Sequence, residues 1–239
     1  MSGGPPREAP GSSDAWARER LAAVAYIASL IGHEARNHLA TLRAALELLD
    51  AGLEANLSPE YRSTLLRELD AFIGDFNLGL DMVRCNCTTR ERVSVRDLVA
   101  EAVEMIQPLA AKSAISVAPS FGHTADLIWA DRRLLRLTLL NLLRNAAEAL
   151  DGTAAPRIEL RTMDAPGGLQ LEIEDNGPGV PKEMRDRLFL RLDQDREAGA
   201  GLGLSLCRDA MVLLGGSIRH VTPAGQAGAC FRVSVPNGD

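Results

Sequence analysis

The chain has few aromatic residues, no block of basic residues and no apolar run long enough to cross a membrane. Aromatic residues are 4% of the 239 residues and apolar residues 46%, so a core must be built mainly from aliphatic side chains. The net charge of -6 argues against nucleic acid or an anionic membrane as the partner. Because no signal peptide is visible, we expect a cytoplasmic protein that is complete without a sensor domain.

Cysteine is scarce as well, with only Cys85, Cys87, Cys207 and Cys230 in the chain. Cys85 and Cys87 have no second pair of ligands nearby, which a zinc site would need. The sequence therefore predicts ordinary reduced thiols.

Two long amphipathic helices are predicted after a Gly-, Pro- and Ser-rich tail, residues 1–13, which we expect to be disordered. The first helix has apolar residues at coiled-coil spacing, and Ser58-Pro59-Glu60 is a typical start for the second. A single hairpin would leave its apolar stripe exposed. Residues 14–89 are therefore predicted to form a homodimer as a four-helix bundle, unless the stripe packs against the rest of the same chain.

Residues 90–239 have a different pattern, in which short alternating strands are mixed with helices. Such a pattern favours a sheet covered on one face by helices. The predicted fold class is thus α+β, an antiparallel helical hairpin followed by an α/β sandwich domain. The predicted strands are 93–95, 115–118, 158–161, 169–173, 217–221 and 229–235, and the predicted helices are 97–110, 131–150 and 203–214.

His33 lies off the apolar seam of the first predicted helix, next to Glu34 and one turn before Asn37. An exposed imidazole beside a carboxylate can act as a nucleophile, because the carboxylate holds the ring and takes its proton. On its own this pattern is weak, since most histidines on a helix surface have no chemical role.

Asn141 and Asn145 lie one helical turn apart, so both amides project from one face of the predicted helix. An amide oxygen is a hard, neutral ligand that suits Mg²⁺ together with phosphate oxygens and water. The alternative is an amphipathic helix with two polar surface positions.

Two glycine-containing segments follow. Asp175, directly after a predicted strand, precedes Gly177 and Gly179, where the backbone can approach a ligand closely. Residues 199–203 alternate Gly with Ala and Leu before a predicted helix, which is typical of a cradle of backbone N–H groups for an anion. Each segment alone is also compatible with a simple turn.

Taken together, these segments resemble the transmitter core of two-component sensor histidine kinases over residues 15–236. Residues 33–37 resemble the H box of that family and residues 141–149 its N box. Residues 175–179 and 199–203 resemble its two glycine boxes. The ATP-binding part is similar to the wider superfamily that includes gyrase and Hsp90.

The resemblance implies an ATP-dependent autokinase. His33 would be the phosphoacceptor and Glu34 its general base, and the phosphoryl group would pass to an aspartate of a separate response regulator. Asn37 matches the position that orients water when the family removes phosphate from its partner, so a phosphatase activity is also implied.

The resemblance further implies that ATP and Mg²⁺ are the cofactors. Asn145 would bind the metal with support from Asn141, and Asp175 would bind adenine. The remaining residues implied in nucleotide binding are glycines: Gly177, Gly179, Gly199, Gly201 and Gly203.

Two alternatives remain open at this point. An ATP-hydrolysing machine of the same superfamily would have Glu four residues before the metal-binding Asn, where this chain has Asn141. A non-catalytic phosphotransfer or scaffold protein with a vestigial nucleotide fold is the other, because residues 188–192, before the second glycine segment, contain one aromatic residue.

The hairpin pattern gives a testable prediction. Residues 14–89 expressed alone should sediment as a dimer, because neither helix can cover its stripe within one hairpin. Leu42→Glu or Phe72→Glu should break the dimer by burying an unpaired charge. A well-folded monomer in analytical ultracentrifugation would refute the prediction.

Overall fold

The structure is a computed structural model, and it describes residues 90–189, 203–221 and 227–237 and four helical positions, Arg43, Leu69, Ile73 and Phe76. The chain divides into two compact units, Met1–Asn86 and Cys87–Asp239. The predicted tail and the H box lie outside the described residues, as does nearly all of the hairpin. The hairpin, its dimer and the domain boundary at residue 90 stay predictions.

The described part of the second unit contains seven strands and four helices. In chain order these are β1 (Glu91–Ser94), α1 (Val95–Lys112), β2 (Ser116–Gly122), β3 (Leu127–Ala130), α2 (Arg132–Ala149), β4 (Arg157–Ala165), β5 (Gly168–Asp175), α3 (Lys182–Arg185), α4 (Gly203–Leu213), β6 (Ser217–Val221) and β7 (Cys230–Pro236). No helix in these described ranges is both long enough and apolar enough to cross a membrane.

Five strands form one mixed sheet in the order β2-β4-β5-β7-β6. Strand β2 pairs with β4 in parallel, and the other pairs are antiparallel. Strands β1 and β3 form a separate antiparallel pair. The predicted α/β fold of the second domain is confirmed, and its sheet is mixed.

The strict alternation in β4 and β5 decides which face of the sheet is covered. Leu160 and Ile173 are register partners and fully buried, as are their same-face neighbours along the two strands. The opposite face carries charged residues, and Arg161 there forms ion pairs with Glu159, Glu172 and Glu174. One face therefore holds the core while the other is polar.

Helix α2 is the centre of the covered face. It contacts α1, α4, β4 and β5. Its five most buried leucines, all at most 1% exposed, are Leu134, Leu135, Leu139, Leu142 and Leu143. Such burial contributes roughly 1.5–3 kcal/mol for each leucine, so the position of α2 against the sheet is strongly fixed.

One local prediction was wrong, and one strand was missed. Val95 was expected in a strand but begins α1, because the Ser94 hydroxyl accepts a hydrogen bond from Asp97 N and caps the helix there. Strand β3 was missed, because its four residues follow no alternating pattern and their pairing with β1 is distant in sequence.

Asp131 caps α2 and gives a prediction for stability. Its Oδ1 accepts hydrogen bonds from Arg133 N (2.9 Å) and Leu134 N (3.3 Å). Asp131→Ala should lower the free energy of unfolding by about 1–2 kcal/mol. Urea denaturation measures this loss. Asp131→Asn is the matched control, because its amide oxygen can still cap; an equal loss in both variants would mean that the charge matters rather than the cap.

Candidate functional site

Helix α2 lies beside the described parts of both glycine segments identified in the sequence, residues 175–179 and Gly203, the last residue of 199–203. A Cβ added at Gly203, the first residue of α4, would lie 2.4 Å from Asn141 Nδ2. Near the other end of α2, a Cβ at Gly177 would lie 3.0 Å from the Ala149 carbonyl oxygen. Glycine at these two positions therefore lets the chain approach the helix closely.

The two asparagines of α2 are in direct contact, as their spacing predicts. Asn145 Nδ2 donates a hydrogen bond to Asn141 Oδ1 at 3.1 Å. Asn145 Oδ1 accepts no hydrogen bond from any described residue. The pair therefore presents a neutral oxygen of the kind that Mg²⁺ accepts as a ligand.

Asp175 ends β5 and is buried, with 4% of its surface exposed. Its Oδ1 accepts hydrogen bonds from Gly177 N (2.9 Å) and Ala229 N (3.3 Å). Burial raises the pKa of this carboxyl, and the two backbone N–H groups partly oppose that rise. Since Oδ2 has no hydrogen-bond partner in the described ranges, Asp175 can accept one from a bound ligand.

A third glycine, which the sequence analysis did not single out, completes the surroundings of Asp175. Gly228 has a φ of +122°, and a Cβ there would lie 2.0 Å from the Asp175 carbonyl oxygen. A Cβ on Gly179 would in turn lie 2.7 Å from the Gly228 carbonyl oxygen. The only hint of this close approach in the sequence was that Gly228 stands just before the predicted strand at 229–235.

Phe189 is the one aromatic residue of the segment that precedes the second glycine run. Its ring packs edge-on against Phe231 of β7, with ring centroids 6.2 Å apart. The ring of His220 contacts the same phenylalanine at 5.5 Å. Phe189 therefore anchors the end of this segment on the sheet.

The structure brings together Asn141, Asn145, Asp175, Gly177, Gly179 and Gly203. The other predicted site residues, His33, Glu34, Asn37, Gly199 and Gly201, lie outside the described residues.

Residues 130–239 match the sequence profile of the histidine kinase-, DNA gyrase B- and HSP90-like ATPase family. This part of the chain, 110 of its 239 residues, is similar to that family. It contains α2, residues 175–179 and Gly203, so the buried carboxylate and the amide pair lie in the part of the chain that resembles an ATPase domain.

Relatives of known function also match, and they confirm the resemblance to sensor histidine kinases. The chain is 29% identical over 219 residues to the signal transduction histidine-protein kinase AtoS of Escherichia coli K12, covering 91% of this chain and 36% of AtoS. It is 28% identical over 229 residues to the C4-dicarboxylate transport sensor protein DctS of Rhodobacter capsulatus, covering 91% and 34%. The chain thus spans about a third of the length of these relatives.

Solved structures show the same fold. Full-length ShkA in complex with AMPPNP is 26% identical, with a TM-score of 0.57, and the match covers 76% of this chain and 40% of ShkA. Histidine kinase ThkA in complex with response regulator protein TrrA has a TM-score of 0.67 at 20% identity, covering 92% of this chain and 64% of that one. At that identity, the second match shows the fold alone.

Asp175→Asn tests the role of the buried carboxylate in ATP binding. The neutral amide can still accept from the backbone N–H groups with its oxygen, but it turns a donor toward the adenine amine. ATP binding should weaken by about 1.5–3 kcal/mol, the range for a hydrogen bond to a charged group. Calorimetry measures this loss. Binding of GTP, which lacks that amine, is the control and should change less.

The same variant tests the pKa of Asp175. A raised folded-state pKa gives stability that is complete below the unfolded pKa, about 3.9, and lost as pH rises through the folded value. At pH 7, Asp175→Asn should therefore unfold at an equal or higher urea concentration than wild type, and its advantage should shrink toward pH 4. Lower stability at pH 7 would contradict the pKa direction.

Proposed function

We propose that this protein is an ATP-dependent protein histidine kinase that phosphorylates itself on His33. The phosphoryl group then passes to an aspartate of a separate response regulator. One observation carries the proposal: α2 holds the amide pair, the start of α4 and the Asp175 segment within one ATP-binding domain. The relatives named as sensor kinases, and the neighbour solved with a response regulator, support it.

The described residues suit ATP at both ends of the nucleotide. Asp175 Oδ2 would accept a hydrogen bond from the adenine amine. The N-terminus of α4, which starts at Gly203, favours phosphate because its N–H groups and its dipole attract anions. Gly199 and Gly201 precede it in the chain and would extend that cradle.

Mg²⁺ fits the amide pair. Asn145 would supply an oxygen ligand, and Asn141 would orient that amide through the hydrogen bond between them. The ion would neutralise phosphate charge, which is the main electrostatic requirement of phosphoryl transfer.

The transfer itself would take place on the helical hairpin. A ring nitrogen of His33 forms a bond to the γ-phosphorus while the bond from that phosphorus to the β–γ bridging oxygen breaks, and ADP leaves. Glu34 takes the ring proton. In the second step an aspartate oxygen of the regulator forms the new bond to phosphorus and the N–P bond of His33 breaks.

We also propose that Asn37 holds water for removal of phosphate from the regulator, that the hairpin forms a homodimer, and that the described domain works in the cytoplasm. The apolar stripe of residues 14–89 supports the dimer. ATP as the phosphoryl donor supports the location.

The structure disfavours an ATP-hydrolysing machine. Asn141 stands where such a machine would carry its general base, and its Oδ1 already accepts a hydrogen bond from Asn145. An amide cannot usefully take a proton from water. Asp175 is buried and held by two backbone N–H groups at one oxygen, which argues against a vestigial nucleotide fold.

His33→Ala tests the proposed function. Incubation with γ-labelled ATP and Mg²⁺ should label the wild type on histidine and leave the variant unlabelled, while ATP affinity stays within about twofold, because the nucleotide site lies on other residues. His38→Ala is the matched control and should still be labelled, because His38 lies five residues after His33 and so about 140° round the predicted helix. Label that persists in His33→Ala, or free phosphate without phosphohistidine in the wild type, would refute the kinase assignment.

A further inference from the structure

Asn176 makes three hydrogen bonds that no predicted role required. Its Oδ1 accepts from Arg157 N at 2.7 Å, and its Nδ2 donates to the Ala155 carbonyl oxygen at 3.0 Å. Its backbone N donates to the Arg157 carbonyl oxygen at 3.3 Å. One side chain therefore binds the chain on both sides of Pro156; we call this set of bonds the Asn176 clasp.

The clasp lies where the strand pairing of β4 and β5 ends. Ile158 and Asp175 are the last register partners. Beyond them the Asn176 side chain, rather than a strand backbone, satisfies Arg157 N. Pro156 has no N–H of its own, and its carbonyl oxygen accepts from Ser116 N at 3.0 Å. The segment is thus held from two directions.

The clasped segment connects the two halves of the nucleotide site. It is the end of the loop that leads from α2, which carries Asn141 and Asn145, into β4. Asn176 directly follows Asp175. The clasp therefore ties the adenine-binding carboxylate to the chain that leaves the helix of the amide pair.

The loop needs such a tie. Ala155 adopts a φ of +48°, a left-handed conformation that costs a non-glycine residue roughly 1–2 kcal/mol. Nδ2 of Asn176 donates to the carbonyl of this same residue. Without this donor the conformation of Ala155 can relax, and of the two side-chain hydrogen bonds from Asn176 only the one to Arg157 N still holds the segment against the end of β5.

We propose that Asn176 is a positioning residue for nucleotide binding, which sets the placement of Asp175 relative to the amide pair of α2. The proposal rests on the proposed ATP site. Asn176 makes no hydrogen bond with Asp175 Oδ2 or with the amide pair, so it would act through the backbone of residues 155–157 and 175–177.

Asn176→Ala in the full-length protein tests the proposal. ATP affinity, measured by calorimetry well below the unfolding temperature, should fall about tenfold, which corresponds to roughly 1.4 kcal/mol. The rate of His33 labelling at saturating ATP should stay within about twofold, because the reacting groups are unchanged.

Asp164→Ala is the matched control. Asp164 forms a clasp of similar size near the other end of β4, where it accepts hydrogen bonds from Thr124 N and the Thr124 hydroxyl. Asp164→Ala should lower the free energy of unfolding about as much as Asn176→Ala does. It should leave the affinity for ATP unchanged. Equal loss of affinity in both variants would show general destabilisation and overturn the proposal.

A double-mutant cycle with Asp175→Asn separates positioning from an independent effect. If Asn176 acts by placing Asp175, the double variant should bind ATP about as weakly as Asp175→Asn alone. Affinity losses that multiply would overturn the proposal. If Asn176→Ala does not fold, Asn176→Asp replaces it; this variant keeps an acceptor for Arg157 N, removes the donor to Ala155 and adds one negative charge.

The ATP affinities of wild type and Asn176→Ala distinguish failure of the proposed function from failure of this proposal. A wild-type protein that binds no ATP overturns the proposed function and this proposal with it. A wild type that binds ATP normally, with Asn176→Ala binding equally well, overturns only the role of Asn176.

Discussion

The burial of helix α2 against the sheet is the constraint on which the nucleotide site depends. Five of its leucines are almost fully buried, so the helix has no freedom to rotate or slide without exposing them. This fixes the direction in which Asn141 and Asn145 point. Gly203 and Gly177 then take their positions against this one helix.

Glycine makes those distances possible. At Gly203 a Cβ would meet the side chain of Asn141, at Gly177 a Cβ would lie tightly against the Ala149 carbonyl oxygen, and at Gly228 a Cβ would meet the backbone of Asp175. Backbone packed this tightly brings N–H groups to the site without side chains. Two of them fix one oxygen of Asp175, and burial then makes the other oxygen a strong acceptor in a dry environment.

Asp175 also illustrates the cost of such a site. Burial works against its charge, whereas the hydrogen bonds from Gly177 and Ala229 favour it, and the net effect is a raised pKa. The protein therefore keeps a partly destabilised carboxylate at the position where we propose that it accepts a hydrogen bond from ATP. The Asn176 clasp next to it holds the surrounding chain, so that this group has a defined place.

Much of this was determined by the sequence itself. Alternation located β4 and β5, and spacing placed Asn141 beside Asn145, because these are local properties of neighbouring residues. The anion cradle at residues 199–203 stays a prediction. Tertiary structure alone decided the pairing of β1 with β3, the approach of Gly228 to Asp175 and the bonds of Asn176 to Ala155 and Arg157. These contacts join residues about 20 to 50 positions apart. No local pattern records them, since they exist only once the sheet has brought its strand ends together.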